Sequence, residues 1–350
     1  MEPAVGAWCT GSEVCFRLHD ENHRLSGVRL RAGVIDAAPE FSYDAATRAW
    51  QLRLPRPPVW RIEYQLELSR PDGDPETVPD PDNPLRVGGA FGDSSELRCP
   101  DYAGPEWLQH PPAPGDWREL YLPMPAVNGE AVARVWSPVK PTPHVVVAHD
   151  GPDYHRYAEL GRYSAAMVGA GLVPPHHLVL LPPGERMEWY SASPAYARGL
   201  TRDVLPKVGA ELGIPGLGSD RGVVGVGASL GALAMLHAQR RHPAAFAGLF
   251  LQSGSFFQPR FDRQESGFGR WLRIVRFTGR VLRDAGGPAV PVALTCGAPE
   301  ENLANNRDMA AALRRHGYPV TFAELPDGHQ WTGWRDGLDP HLTALLQRVF

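Results

Sequence analysis

Gly227-Ala228-Ser229-Leu230-Gly231 constrains this chain more than any other stretch. It joins two segments of opposite character. Before it, Arg221-Gly222-Val223-Val224-Gly225-Val226 is short and valine-rich and predicts a buried strand. After it, Ala232 to Arg241 carries strong helix formers at nearly every position. A strand that turns into a helix at a serine leaves no room for side chains at Gly227 and Gly231, where strand and helix cross. It also holds the serine backbone in a strained region.

The rest of the chain divides by hydrophobic period. In the first third, Trp60, Ile62, Tyr64, Leu66 and Leu68 interleave with Arg61, Glu63, Gln65 and Glu67. Trp50, Leu52 and Leu54, and Val14, Phe16 and Leu18, alternate in the same way. Period two with one polar face predicts half-buried strands, and short strands between turn-rich segments predict an antiparallel β-sandwich. Pro71 to Pro84 reads as loop and His110-Pro111-Pro112-Ala113-Pro114-Gly115 as a linker, so the expected domains are residues 1–115 and 116–350.

Beyond residue 115, strands and helices alternate. Strands are expected at Leu120–Leu122, Ala133–Trp136, His144–Ala148, Leu178–Leu181, the serine turn, Ala247–Leu251, Val290–Thr295 and Val320–Leu325. Helices are expected over Tyr157–Gly169, Tyr196–Leu212, Asn302–His316 and Leu338–Val349. This is an α/β pattern: a mostly parallel sheet with helices on both faces, whose active site belongs at the carboxyl ends of the strands. With the serine turn as a nucleophile elbow, the expected fold is that of the α/β-hydrolases, preceded by the sandwich.

Those strand ends carry the chemistry. Ser229 follows one strand, Glu300-Glu301 follow another, and Asp327-Gly328-His329 follow the last. The order serine, acid, histidine is the hydrolase order. A serine hydroxyl needs an imidazole to take its proton, and the imidazole needs a carboxylate to hold its tautomer. His329 is preferred over His237 and His316, which sit in or at the end of helices. The residues leave Glu300, Glu301 and Asp327 open as the acid. Leu230, next after the serine, supplies one oxyanion N–H. The other is expected from the His149-Asp150-Gly151 turn; because Pro152 has no N–H, the candidates are Gly151, Asp153 or a nearby side chain.

Composition narrows the partners. The 350 residues carry a formal charge of −4 and 43% hydrophobic residues, which gives ample core and no electrostatic footprint for nucleic acid. No apolar run reaches membrane-span length. The opening Met1–Gly6 shows no leader pattern. Cys9, Cys15, Cys99 and Cys296 are scattered and read as reduced, buried thiols, so a cytoplasmic protein is expected. No cofactor or metal is expected; Asp80 and Asp82 lack the spacing of a calcium loop.

Several separated segments resemble the enterochelin-esterase branch of the esterase D group of α/β-hydrolases. They are Asp80-Pro81-Asp82-Asn83-Pro84 with Gly88-Gly89-Ala90-Phe91-Gly92, then His149-Asp150-Gly151, Arg186-Met187-Glu188-Trp189-Tyr190, Gln252-Ser253-Gly254-Ser255-Phe256, and Gly328-His329-Gln330-Trp331-Thr332-Gly333-Trp334-Arg335. The resemblance implies Ser229 as nucleophile, His329 as base, Glu300 as acid, and a small-molecule ester of siderophore type as substrate. Arg186, Tyr154, Trp189 and Trp331 are the expected substrate contacts, while Trp334 suits packing of the closing helix equally well. The chain departs from the family at Pro152-Asp153-Tyr154, where a bulky aromatic is common, and its net acidity does not favour a trianionic iron complex. An acyltransferase of the same fold, or a ligand- or glycan-binding protein on a weakly active scaffold, are the competing readings. Oligomeric state is not expressed in the sequence.

Overall fold

The computed structural model describes residues 6–35, 37–90, 92–284 and 286–350. Met1–Val5, part of the stretch read above for a leader, and Phe91 of the Gly88–Gly92 run lie outside the described residues. The chain forms two units. One holds the N-terminal residues to Gly104 together with Gly297–Glu300 and Pro326–Gly333; the other holds Pro105–Cys296, Glu301–Leu325 and Trp334–Phe350.

The first unit contains two antiparallel sheets. One runs in the order Gly6–Cys9, Glu13–His19, Ala49–Pro55, Ser42–Asp44. The other runs Gly27–Ala32, Arg61–Ser69, Ser94–Arg98, Arg86–Val87, with Glu76–Val78 also paired to Arg61–Ser69. Their apolar faces supply one core: Val14, Phe16, Leu18, Trp50 and Leu52 from the first, Val28, Leu30, Ile62, Tyr64, Leu66 and Leu97 from the second. This is the alternation legible in the sequence.

One detail of this unit corrects the sequence reading. Cys9 and Cys99 are joined in a disulfide, with Cα atoms 5.3 Å apart, a normal reach for a bridge. Cys9 ends one strand and Cys99 directly follows another; a sequence separation of 90 hid the pairing. Cys15 and Cys296 are buried outside any bridge. The inference from four reduced thiols to a reducing compartment falls with this. Asp80 and Asp82 are structural: Asp80 accepts from the Tyr64 hydroxyl at 2.7 Å, and Asp82 accepts the His19 N–H at 2.7 Å.

The second unit is built on an eight-stranded mixed sheet. Its order is Gly115–Met124, Gly129–Pro138, His177–Leu180, Val145–Ala148, Val223–Ala228, Phe246–Gln252, Val292–Gly297, Val320–Leu325. The first two strands pair antiparallel and the second is antiparallel to the third. From His177–Leu180 to Val292–Gly297 the pairings are parallel. The central strands are buried throughout, as their runs of valine, leucine, alanine and glycine, with His177 opening one, suit when both faces are covered. Among the described residues no helix is long and apolar enough to cross a membrane.

Some helices differ from expectation. The helix expected over Tyr157–Gly169 starts at Leu160, after Glu159 at φ 50°, and a short helix Gly151–Arg156 that was not expected precedes it. Within Pro194–Leu212 the stretch Gly199–Val204 widens to π geometry just before Pro206, whose missing N–H cannot complete an α ladder. Trp271–Arg283 is a helix the sequence reading passed over. Its buried Ile274, Phe277, Thr278 and Val281 keep helical spacing, but arginines crowd the intervening positions.

Candidate active site

Ser229 sits between the strand Val223–Ala228 and the helix Leu230–Arg241 with φ 54° and ψ −123°. Few non-glycine residues adopt such a conformation, at a cost of roughly 1–3 kcal/mol. The surroundings impose it. A Cβ on Gly227 would lie 2.5 Å from the Gly231 backbone, so strand and helix approach only because that residue is glycine. The Ser229 N–H donates to the Gln252 carbonyl at 2.9 Å, and its carbonyl accepts from the Ser255 N–H at 3.1 Å. The Ser229 hydroxyl lies 3.1 Å from the Ser255 hydroxyl. Ser255 was quoted in the sequence only as part of a motif; its place beside the elbow serine depends on the loop after Phe246–Gln252 curling back. Leu230 opens the helix, where first-turn N–H groups have no intrahelical acceptor.

His149 and Asp150 form a second turn in the same unit. His149 is fully buried; its Nδ1 is 3.0 Å from the Gly231 carbonyl and its Nε2 2.9 Å from the Tyr196 hydroxyl. Burial pushes its imidazole down to about 4, so it is neutral at neutral pH. Asp150 adopts φ 49° and is gripped by Arg186, whose Nε and Nη2 donate to its two carboxylate oxygens at 2.9 and 3.0 Å. The Asp150 N–H donates to the Tyr190 hydroxyl at 3.2 Å.

These contacts bear on four sequence expectations. The Gly151 N–H donates to the Leu181 carbonyl at 2.7 Å, so it is not available as an oxyanion donor; with Pro152 lacking an N–H, Asp153 is the remaining first-turn candidate of that helix. Arg186 spends its fork on Asp150, which makes it a brace for the turn. Tyr154 is completely buried and donates its hydroxyl to Gln252 Oε1 at 2.9 Å. Trp189 is 6% exposed, stacks on Tyr196 and fills space against Gly184 and Gly129. Tyr154 is a core side chain with no exposed surface, and Trp189 is a core side chain with little. Trp331 is half-buried at the start of the helix Trp331–Asp336. Trp334 is buried, with its indole N–H donating to the Ser253 hydroxyl at 3.0 Å.

The acid and the histidine lie in the other unit. Glu300 Oε2 is 2.7 Å from His329 Nδ1, and Glu300 Oε1 accepts the Gly297 N–H at 2.7 Å. The Glu300 side chain is 2% exposed and that of His329 38%. A Cβ on Gly297 would overlap the Asp327 carbonyl oxygen, so glycine lets the acid turn approach the histidine loop. A carboxylate fixed by a backbone donor and bonded to Nδ1 sets the orientation of the imidazole ring. Glu301 is exposed and accepts from Gln264 at 3.3 Å. Asp327 is buried, but its carboxylate receives Arg61, the Gly328 N–H and Gln330. His237 is buried against Phe277, which lowers its imidazole to about 3. Among the described residues no group of His, Cys, Asp and Glu could hold a metal ion.

The model of the Esterase family matches residues 128–345. The chain belongs to that family. Among solved structures, this esterase-family chain shares its fold with the enterobactin esterase from Shigella flexneri crystallised in the presence of enterobactin. The TM-score is 0.80 at 20% identity, covering 99% of this chain and 97% of that one. The ferric enterobactin esterase from Salmonella typhimurium gives a TM-score of 0.79 at 19% identity, covering 96% of this chain and 94% of that one. A ferulic acid esterase matches at a TM-score of 0.55 and 17% identity, covering 67% of this chain and 99% of its own. Curated proteins gave no match.

Proposed function

We propose that the chain is a serine esterase of the α/β-hydrolase fold, working through Ser229, His329 and Glu300. The Ser229 hydroxyl attacks an ester carbonyl carbon while its proton passes to His329 Nε2. Glu300 holds the Nδ1 proton and stabilises the imidazolium. The negative oxygen of the tetrahedral intermediate takes the Leu230 N–H and a second donor, either the Asp153 N–H or a side chain near that turn. Collapse expels the alkoxide, which leaves with the proton from Nε2. Water then repeats the cycle on the acyl-enzyme and releases the acid.

The observation that carries this reading is the backbone of Ser229 at φ 54° and ψ −123°, between a buried strand and a helix, which is the strained geometry of a nucleophile elbow. The acid–histidine pair at 2.7 Å supports the assignment of Glu300 over Glu301 and Asp327. The substrate class we propose is a siderophore-type ester, supported by whole-length likeness to enterobactin esterases. We also propose residue 115, where the first strand of the mixed sheet starts, as the border between N-terminal sandwich and esterase domain.

Labelling with a fluorophosphonate, followed by peptide mapping, tests the nucleophile. The label is expected on Ser229, and Ser229→Ala is expected to lose both label and hydrolysis of p-nitrophenyl acetate. Label on another serine, or a Ser229→Ala protein with most of its activity, overturns the reading. A panel of catecholate trilactones against simple aryl esters then tests the substrate class through kcat/KM.

A further inference from the structure

The strand Arg61–Ser69 presents its apolar face to the core of the first unit. Its other face, Arg61, Glu63, Gln65 and Glu67, has the composition of a solvent face. The structure buries the first part of it. Arg61 is 0% exposed, and Glu96 across from Glu63 is 1% exposed. What covers this face is the segment Pro326–Gly333, which belongs to the same unit.

The contacts are specific. Arg61 Nε donates to Asp327 Oδ2 at 2.8 Å, and Arg61 Nη1 lies 3.4 Å from Glu96 Oε1 and 3.2 Å from the Tyr102 hydroxyl. The Tyr102 ring lies under the guanidinium at 4.5 Å. Glu63 Oε1 accepts from the Thr332 hydroxyl at 2.5 Å. The Trp60 N–H, one residue before the strand, donates to the Pro326 carbonyl at 2.8 Å. His329 lies between these grips, two residues after Asp327 and three before Thr332.

The pairing register explains why the face needs a further carboxylate. Arg61 sits directly opposite Arg98, and Glu63 directly opposite Glu96. Like charges opposite one another repel. Glu96 draws in both arginines, with Arg98 Nη2 at 2.7 Å, and Asp327 supplies the second negative charge for Arg61. A fully buried guanidinium is tolerated only where its donors are matched in this way.

We infer that Arg61 and Glu63 are positioning residues for His329: through Asp327 and Thr332 they fix the loop that presents the imidazole. The inference rests on the proposed role of His329. It assigns the N-terminal unit a part in the acid–base apparatus, beyond any part as a cover. A displacement of about 1 Å in a general base costs on the order of 100-fold in rate.

The experiment compares wild type with Thr332→Val, Arg61→Lys and the double variant Arg61→Met/Asp327→Asn. Thr332→Val removes only a hydroxyl and keeps the side chain's shape. The double variant removes both members of the Arg61–Asp327 pair, so neither is left as a lone charge, and Glu96 keeps Arg98. Active sites are counted with the phosphonate label, and kcat and KM for p-nitrophenyl acetate are expressed per labelled Ser229. The expected result is a fall in kcat of about 3- to 10-fold for Thr332→Val and about 10- to 100-fold for the other two, with KM within twofold. Thermal melts accompany each variant, and the double variant is expected to keep its low kcat whatever its melting temperature. Thr332→Val with wild-type kcat per labelled site, or a folded arginine variant with wild-type kcat, overturns the inference. If the wild type is not labelled at Ser229, the proposed function fails first, which separates the two failures.

Discussion

Glu300 Oε2 and His329 Nδ1 are 2.7 Å apart, while the other oxygen of the same carboxylate is held by the Gly297 N–H. The carboxylate is therefore fixed at both ends and cannot swing away when the imidazole charges. Glu300→Gln replaces one acceptor oxygen with an amide and weakens control of the tautomer. Its kcat is expected to fall roughly 10²- to 10⁴-fold with a smaller change in KM. Glu301→Gln, an exposed substitution, is expected to stay within about twofold of wild type. Steady-state kinetics on both check this; a Glu300→Gln enzyme with wild-type kcat would be decisive against the acid.

Ser229 and His329 should fail as one unit. Either alanine substitution is expected to lower kcat about 10⁴-fold or more, and the double variant is expected to be hardly worse than either. A double-variant cycle on p-nitrophenyl acetate reads this directly. Losses that multiply would mean that the two residues act in separate steps.

Arg186 braces Asp150, whose side chain is 4% exposed and whose backbone is left-handed at φ 49°. Removing the guanidinium strands a buried carboxylate at the turn that opens the helix Gly151–Arg156. The Arg186 side chain is itself 35% exposed, so water offsets part of the loss. Arg186→Leu is expected to destabilise folding by about 1–3 kcal/mol, measured by urea unfolding. A change below about 0.5 kcal/mol would show the pair to be ornamental.

Glu63 makes stability fall with rising pH. Its carboxyl is raised to about 7 by desolvation, with Asp327 and Glu96 adding to the rise and Thr332 and Arg61 opposing it. Below about pH 4.5 the carboxyl is protonated whether the chain is folded or not, and nothing is lost. Between there and about 7 the unfolded chain releases its proton first, so folding grows less favourable; above 7 the loss is complete, at most about 3 kcal/mol. Glu63→Gln should therefore melt several degrees higher relative to wild type at pH 8 than at pH 5. Equal differences at the two values would refute the shift.

The parts of the molecule legible in the sequence are those set by local rules. The elbow is local: a valine strand, two glycines and a helix. The alternation of Ile62, Tyr64 and Leu66 is local too, as is the turn before His329. What escaped was set by distant partners. Arg61 looks like a solvent residue until Asp327 arrives from 266 positions away. Cys9 and Cys99 look unrelated until two strands bring them together. Tyr154 and Trp189 stand beside motif residues and so suggest a pocket, yet the room around them is taken by Gln252, Gly184 and Gly129. Residue type near a motif does not reveal which way a side chain is buried.

The discontinuity of the first unit sets an order on assembly during synthesis. Its strands are complete by residue 98, and with them Glu96, but the second carboxylate that meets Arg61 is translated only after the whole of the intervening sheet, more than two hundred residues later. Until then a guanidinium destined for burial must stay hydrated, and its face of the sheet must stay open. The N-terminal sheets thus lack one of the two carboxylates that meet Arg61 until the histidine loop has been made. A nascent chain stopped before Asp327 should expose Arg61 to solvent; one stopped after Gly333 should not.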